Sequence, residues 1–222
     1  MHTTQQQNET WQDNVIESIV DFAKADDGDF KYIYKLSKAV DEPYGVEKMV
    51  KFLSQTPQAK KAFQERKILG NIDLHKLYSL PSNTLGYAFA KHMLDRGLEP
   101  LKSDALTADD EVQFLGIHIK ETHDIWHVVI GADTDILGEL QLEAFCVSQL
   151  YATRFWLALI VKNLLKSTID DIEASTKYMD AITRGWLIAK QAKPLFGIKW
   201  DELWEHPLEE VRADLNIVFL NI

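Results

Sequence analysis

Apolar residues recur at helical spacing along almost the whole chain, and the strict alternation expected of a strand is scarce. Val15, Ile19 and Phe22 share one face of a helix predicted over 11–25, closed by the turn-forming run Asp26, Asp27, Gly28 and Asp29. Ile33, Leu36 and Ser37 set a second helix over 30–40. Pro43 opens a third through Val46, Met49, Val50 and Leu53, and Pro57 begins a short fourth bearing Ala62 and Phe63. Residues 67–82 are less regular and end in Leu80, Pro81, Ser82, Asn83 and Thr84, a turn with helix-capping chemistry. A helix over 85–94 follows, closed by Gly97. Asp109, Asp110 and Glu111 then place acids at the amino end of a helix that runs to Ile130, where they oppose the dipole favourably. Gly131 ends it, and Asp133, Thr134 and Asp135 offer caps for a helix beginning near Ile136, apolar and unbroken over 140–165. Ser167, Thr168, Asp170 and Asp171 cap another that extends towards Lys190; Pro194 breaks it, and a last short helix covers 208–215. Residues 1–8 are polar and uncharged, without an apolar core, which predicts a disordered tail over 1–10; 11–222 read as a single all-α domain.

Composition narrows the function classes. With 222 residues, 46% hydrophobic and 26% charged, the chain suits one sizeable domain of ordinary soluble balance. A net charge of -10 argues against nucleic acid, whose phosphates need clustered Lys and Arg. Cys146, alone and inside an apolar pattern, reads as a buried structural thiol in a reducing compartment. The first residues have neither the apolar core of a secretory signal nor the arginines of a transit peptide.

The densest chemistry lies in His123, Asp124, Ile125, Trp126 and His127, with Glu139 following after eleven residues. At about 100° per residue, His127 stands roughly 40° from His123 around the helix and Asp124 about 60° further on, so the three share one sector. From Ile125 to Ile130 only His127 is polar, which predicts burial around most of the circumference. The glycine break lets the chain reverse, bringing Glu139 in the next helix's first turn back beside the histidines. The set His123, Asp124, His127 and Glu139 suits a divalent metal (zinc, iron or manganese, or magnesium with waters) and does not choose among them. The competing reading is a pair of satisfied core histidines with Asp124 paired locally. The metalloprotease order, with glutamate beside the first histidine, is absent. A phosphohydrolase would need further His and Asp ligands on other helices, and no convincing set is found.

Phe145, Val147, Leu150, Phe155, Trp156, Leu157, Leu159, Ile160 and Val161 make the following stretch strongly apolar, interrupted by Gln149 and Arg154. At seventeen residues with an arginine inside, 145–161 falls short of the ~20 apolar residues of a spanning helix. It reads either as a central core helix or as the wall of an apolar tunnel or groove. In the second case Trp126, Ile130, Phe145, Arg154 and Phe155 are candidate lipid-binding residues, with Arg154 either paired with a core carboxylate or available to an anionic head group. Trp186, Trp200 and Trp204, among Lys190, Lys193 and Lys199, suit a membrane interface or ordinary packing with snorkelling lysines.

The His-Asp-x-x-His spacing with Glu139 resembles the motif of the ubiquinone (coenzyme Q) biosynthesis protein family called COQ four. Further matches are Leu80-Pro81-Ser82-Asn83-Thr84-Leu85-Gly86, Ile136-Leu137-Gly138-Glu139, Gly185, Ala192-Lys193-Pro194-Leu195, Trp200 and Leu208-Glu209-Glu210-Val211-Arg212. The likeness runs from about Val40 to Ile222 and is loose before that, leaving room for a divergent member acting on another prenylated quinone or lipid. It implies an all-helical fold, a divalent metal at the motif and a polyprenyl lipid or prenylated quinone precursor in an apolar tunnel. It also implies peripheral membrane contact and association with other quinone-biosynthesis enzymes. Carried over, His123, Asp124, His127 and Glu139 are the metal site and the catalytic groups of a lyase performing an oxidative decarboxylation at ring carbon one. The alternative is a non-catalytic scaffold that presents prenyl lipids to partner enzymes. The amino-terminal sequence points to a cytoplasmic, bacterial setting rather than an organelle, and the apolar helices would suit a homodimer.

Overall fold

Side-chain caps decide where most of the central helices begin. The protein, described as a computed structural model over residues 2–25, 30–40, 43–102, 107–151 and 153–219, has eleven α-helices among those residues and no strand beyond an isolated bridge between Thr84 and Pro207. The fold is therefore all-α, as the periodicity predicts. The helices are α1 (His2–Lys24), α2 (Phe30–Val40), α3 (Pro43–Leu53), α4 (Pro57–Glu65), α5 (Leu74–Tyr78), α6 (Leu85–Asp95), α7 (Glu111–Ile130), α8 (Ile136–Leu150), α9 (Arg154–Asp170), α10 (Ser175–Gln191) and α11 (Leu208–Asp214). Thr56, Asp73, Thr84, Asp110 and Asp135 each accept a hydrogen bond from a first-turn N–H of α4, α5, α6, α7 and α8, which satisfies donors the helix cannot pair itself.

Four elements differ from the sequence expectation. Ser167, Thr168 and Asp170, expected as caps, lie in the last turn of α9, and α10 begins only at Ser175. Helix α1 starts at His2, so residues 2–10, expected to be disordered, are helical. The stretch holds three glutamines and no Gly or Pro, so nothing in it opposes extending a helix nucleated downstream. The helix expected over 140–165 is two helices, α8 and α9. The chain breaks at Tyr151, whose φ is +58°, and the Tyr151 ring stacks on Phe52 with centroids 4.8 Å apart. A tertiary contact thus overrides an unbroken apolar pattern. The irregular stretch 67–82 contains the short helix α5, capped by Asp73. The turn expected at residues 26–29 lies outside the described residues.

Helix α7 is the axis of the packing, touching α3, α4, α6, α8 and α11, while α8 packs along α10 and the α1–α2 hairpin lies against α9. The main core gathers Phe63, Phe89, Phe114, Phe145, Phe196 and Trp200, all but completely buried. Cys146 is a free, buried thiol whose pKa burial pushes well up, which fits a structural role. No helix among the described residues is long and apolar enough to cross a membrane.

Candidate metal centre

The carboxyl end of α7 is anchored before it carries any chemistry. Gly131 takes a left-handed conformation (φ +66°), and the N–H groups of Gly131 and Ala132 return to the carbonyls of Val128 and His127. Arg212 of α11 donates from Nη2 to the Val128 carbonyl (2.8 Å) and from Nε to that of Val129 (3.0 Å). Gln141 of α8 donates to the Ile130 carbonyl at 3.1 Å. The carbonyls of the last turn, left open by the helix, are thereby all met. Residues 125–130 are buried as the pattern predicts.

The following turn is equally constrained. Asp135 caps α8, and Gly138 lies so close to the turn that a Cβ there would fall 1.8 Å from the Asp133 carbonyl oxygen. Only glycine lets the first turn of α8 fold back onto 131–135, which is what brings Glu139 beside the histidines.

One ligand atom from each of His123, His127 and Glu139 lies within 4.8 Å of the others. His127 Nε2 stands 3.4 Å from Glu139 Oε1, and His123 Nε2 stands 4.0 Å from Glu139 Oε2. Neither His127 nitrogen makes a hydrogen bond among the described residues, although its side chain is 0% exposed. Leaving such atoms unmet costs about 1–3 kcal/mol each, and a shared cation is one remedy for Nε2. The donor set of two imidazoles and a carboxylate, with His123 and Glu139 26% and 36% exposed, fits a divalent ion reached from one side. The satisfied-core reading of the two histidines fails for His127.

Asp124 falls outside that group. Its Oδ1 lies 3.2 Å from His123 Nδ1, the nitrogen opposite the one facing Glu139. A carboxylate holding the far nitrogen of a metal-facing imidazole fixes its orientation and raises its basicity. Burial disfavours the charged His123 ring, but the Asp124 hydrogen bond and the Glu139 charge outweigh it and raise the pKa. Burial likewise works against Asp124 ionisation, yet its pairing with His123 prevails and lowers its pKa.

Two buried groups escaped the sequence reading. His92 of α6 stacks on His127 with ring centroids 5.8 Å apart, and its Nε2 has no partner among the described residues. Burial above all, then Arg96 and His127, lowers its pKa to about 4. The available signal was a histidine on the same helix face as Leu85, Phe89 and Met93, all fully buried. Glu143, one turn beyond Glu139, is buried and its pKa is pushed up to about 8, first by burial and then by the Glu139 charge.

The candidate lipid residues occupy other surroundings. Trp126, Ile130 and Phe145 are buried members of the main core, with Trp126 edge-on to Phe145 at 5.8 Å. Phe155 packs between that core and the α1–α2 cluster. The Arg154 guanidinium, expected inside a helix, begins α9 and lies over the Trp11 ring at 4.7 Å. Cavities of ≈ 310 and ≈ 210 Å³ are lined by none of these five residues. The larger sits against His118 and Glu121 of α7, Leu69 and Trp200. Of the three tryptophans weighed for a membrane interface, Trp200 is fully buried and Trp204 stacks on Phe89, leaving Trp186 exposed with Lys190 over its ring.

The chain is similar to a ubiquinone biosynthesis protein of Eremothecium gossypii named mitochondrial, at 26% identity over 83% of this chain and 58% of that one. A mitochondrial homologue from Drosophila pseudoobscura pseudoobscura is 29% identical over 68% of this chain and 56% of its own length. The chain thus spans a little over half of these relatives. A crystal structure from Nostoc punctiforme, assigned to ubiquinone biosynthesis, superposes with a TM-score of 0.81 at 25% identity, covering 93% of this chain and 98% of that one. The model of the coenzyme Q (ubiquinone) biosynthesis protein Coq4 matches residues 1–221, and the chain belongs to that family.

Proposed function

We propose that this protein acts in coenzyme Q synthesis by binding the head of a prenylated ring precursor at a divalent metal held by His123, His127 and Glu139. The observation that carries the reading is His127, enclosed yet unmatched at both ring nitrogens, with Nε2 turned to Glu139. A bound metal would hold a carboxylate or phenolate oxygen of the ring, and at the phenolate it would supply Lewis-acid stabilisation to the charge that collects there as carbon dioxide leaves. Asp124 orients His123 through Nδ1 and keeps its Nε2 aimed at Glu139. Glu139, the most exposed of the three ligands, marks the side from which the ring head enters. Burial of Trp126 and Phe145 against each other means that a prenyl tail near these residues must displace packed rings. Exposed apolar residues, Leu157 and Val161 on α9 and Met179 and Trp186 on α10, are consistent with peripheral contact to a membrane or to partner enzymes of the same synthesis.

The test is conversion of a prenylated 4-hydroxybenzoate by metal-loaded protein supplied with an oxidant, with prenyl lipids extracted from the native protein in parallel. Loss of ring carbon dioxide, abolished in His123→Ala while helicity is kept, supports catalysis. Bound prenyl lipid without turnover selects the scaffold instead. No lipid and no turnover rejects both.

A further inference from the structure

His92, on α6, lies against His127 at the edge of the site. It is buried on α6, its ring lies nearly parallel to that of His127 (27° between planes, 5.8 Å between centroids), and its Nε2 is enclosed with no hydrogen-bond partner among the described residues. The backbone around it is fixed. Thr84 caps α6, the N–H groups of Leu85 and Gly86 bond the carbonyls of His206 and Trp204, and Arg96 bonds the His92 carbonyl while pairing with Asp133 in the α7–α8 turn. An imidazole so placed is held rigidly, yet one polar atom has nothing to hold. Its nitrogens are not in the group whose ligand atoms lie within 4.8 Å of one another, so it stands one layer out from the metal position.

We infer that His92 is a positioning residue whose Nε2–H donates to an oxygen of the group that a metal held by His123, His127 and Glu139 would bind. That oxygen belongs to water at rest and to a carboxylate when an oxyanion replaces the water. The inference rests on the metal reading above. It adds a second directional contact to the bound head: beside the metal that the three side chains would hold, His92 would fix which way the oxygen's remaining lone pair points. A buried imidazole serving only as packing would have no bearing on oxyanion affinity.

The experiment uses the full chain loaded with Co(II) and follows its visible spectrum as acetate is added. His92→Leu removes the donor, with His92→Phe in its place if the leucine variant does not fold, and His92→Gln restores an N–H. Expected are equal Co(II) affinities, acetate binding weakened about tenfold in the apolar variant, as for one hydrogen bond to a charged oxygen, and partial recovery with glutamine. Acetate affinity unchanged in the apolar variant overturns the role of His92 and leaves the metal site standing. A large fall in Co(II) affinity instead makes His92 a direct ligand and overturns its outer placement. Failure of the unaltered protein to take up Co(II) removes the metal reading and this inference together.

Discussion

Glu143 offers a prediction whose sign and size come directly from its surroundings. It lies one turn after Glu139 on α8, buried to 4% exposure, and its partners are weak: Asn163 Nδ2 donates at 3.4 and 3.5 Å to its two oxygens. Burial, reinforced by the Glu139 charge, raises its pKa from 4.5 to about 8, and Lys162 and Asn163 recover only part of that. In the unfolded chain the carboxyl loses its proton near the ordinary value, whereas the folded protein keeps it until about pH 8. Raising the pH through that interval therefore draws a proton from the unfolded state alone, so the stabilising contribution is complete at acid pH and is lost as pH climbs towards 8. Glu143→Gln keeps the size of the side chain and removes the ionisation. Urea unfolding of the metal-free proteins should show the wild type losing about 1.4 kcal/mol relative to the variant for each pH unit across the middle of the interval. A metal at the neighbouring ligands would neutralise Glu139 and end that divergence at lower pH. Stability curves for the two proteins that stay parallel from pH 5 to pH 8 would show that Glu143 does not hold its proton in the folded protein.

Other predictions test how the site is held. In Gly138→Ala the new Cβ meets the Asp133 backbone, so the turn must shift; a loss of about 1–3 kcal/mol in stability is expected, with weaker Co(II) binding because Glu139 moves with it. Arg212→Met keeps the apolar stem but leaves the Val129 carbonyl without a donor and the Val128 carbonyl with the Gly131 N–H alone, costing on the order of 2 kcal/mol by urea denaturation; a change under about 0.5 kcal/mol would contradict the anchoring role. Because the raised His123 pKa sets protons against the metal, affinity should fall as pH drops from 8 to 6. Asp124→Asn should move that fall to lower pH and weaken binding about tenfold at pH 8, as read by chelator competition.

How legible the molecule was depends on whether an element is fixed locally. Helices α2 to α4, α6 and α7 announce themselves through apolar spacing with Pro, Thr and Asp at their starts. The break between α8 and α9 carries no Gly or Pro and is imposed by packing around Tyr151 and Phe52, which are far apart in sequence. Within the site, the convergence of His123, His127 and Glu139 follows from a four-residue spacing and a glycine turn, both local. The separation of Asp124 from the other three donors depends on which way one side chain turns, and the arrival of His92 depends on how α6 docks against α7. Arg212 stood in a matched stretch near the carboxyl end, but its task of closing the end of α7 is visible only once the two helices meet.

Metal stoichiometry decides whether His123, His127 and Glu139 together hold one divalent ion. Metal content after purification and after loading, with affinity by chelator competition, tests it in the wild type and in His127→Ala and Glu139→Ala variants of unchanged helicity. Expected are one ion per chain in the wild type, stability that rises with the logarithm of free ion above the Kd, and a loss of at least tenfold in affinity in either variant. A wild type that takes up no ion, or variants that bind as tightly as the wild type, would contradict it.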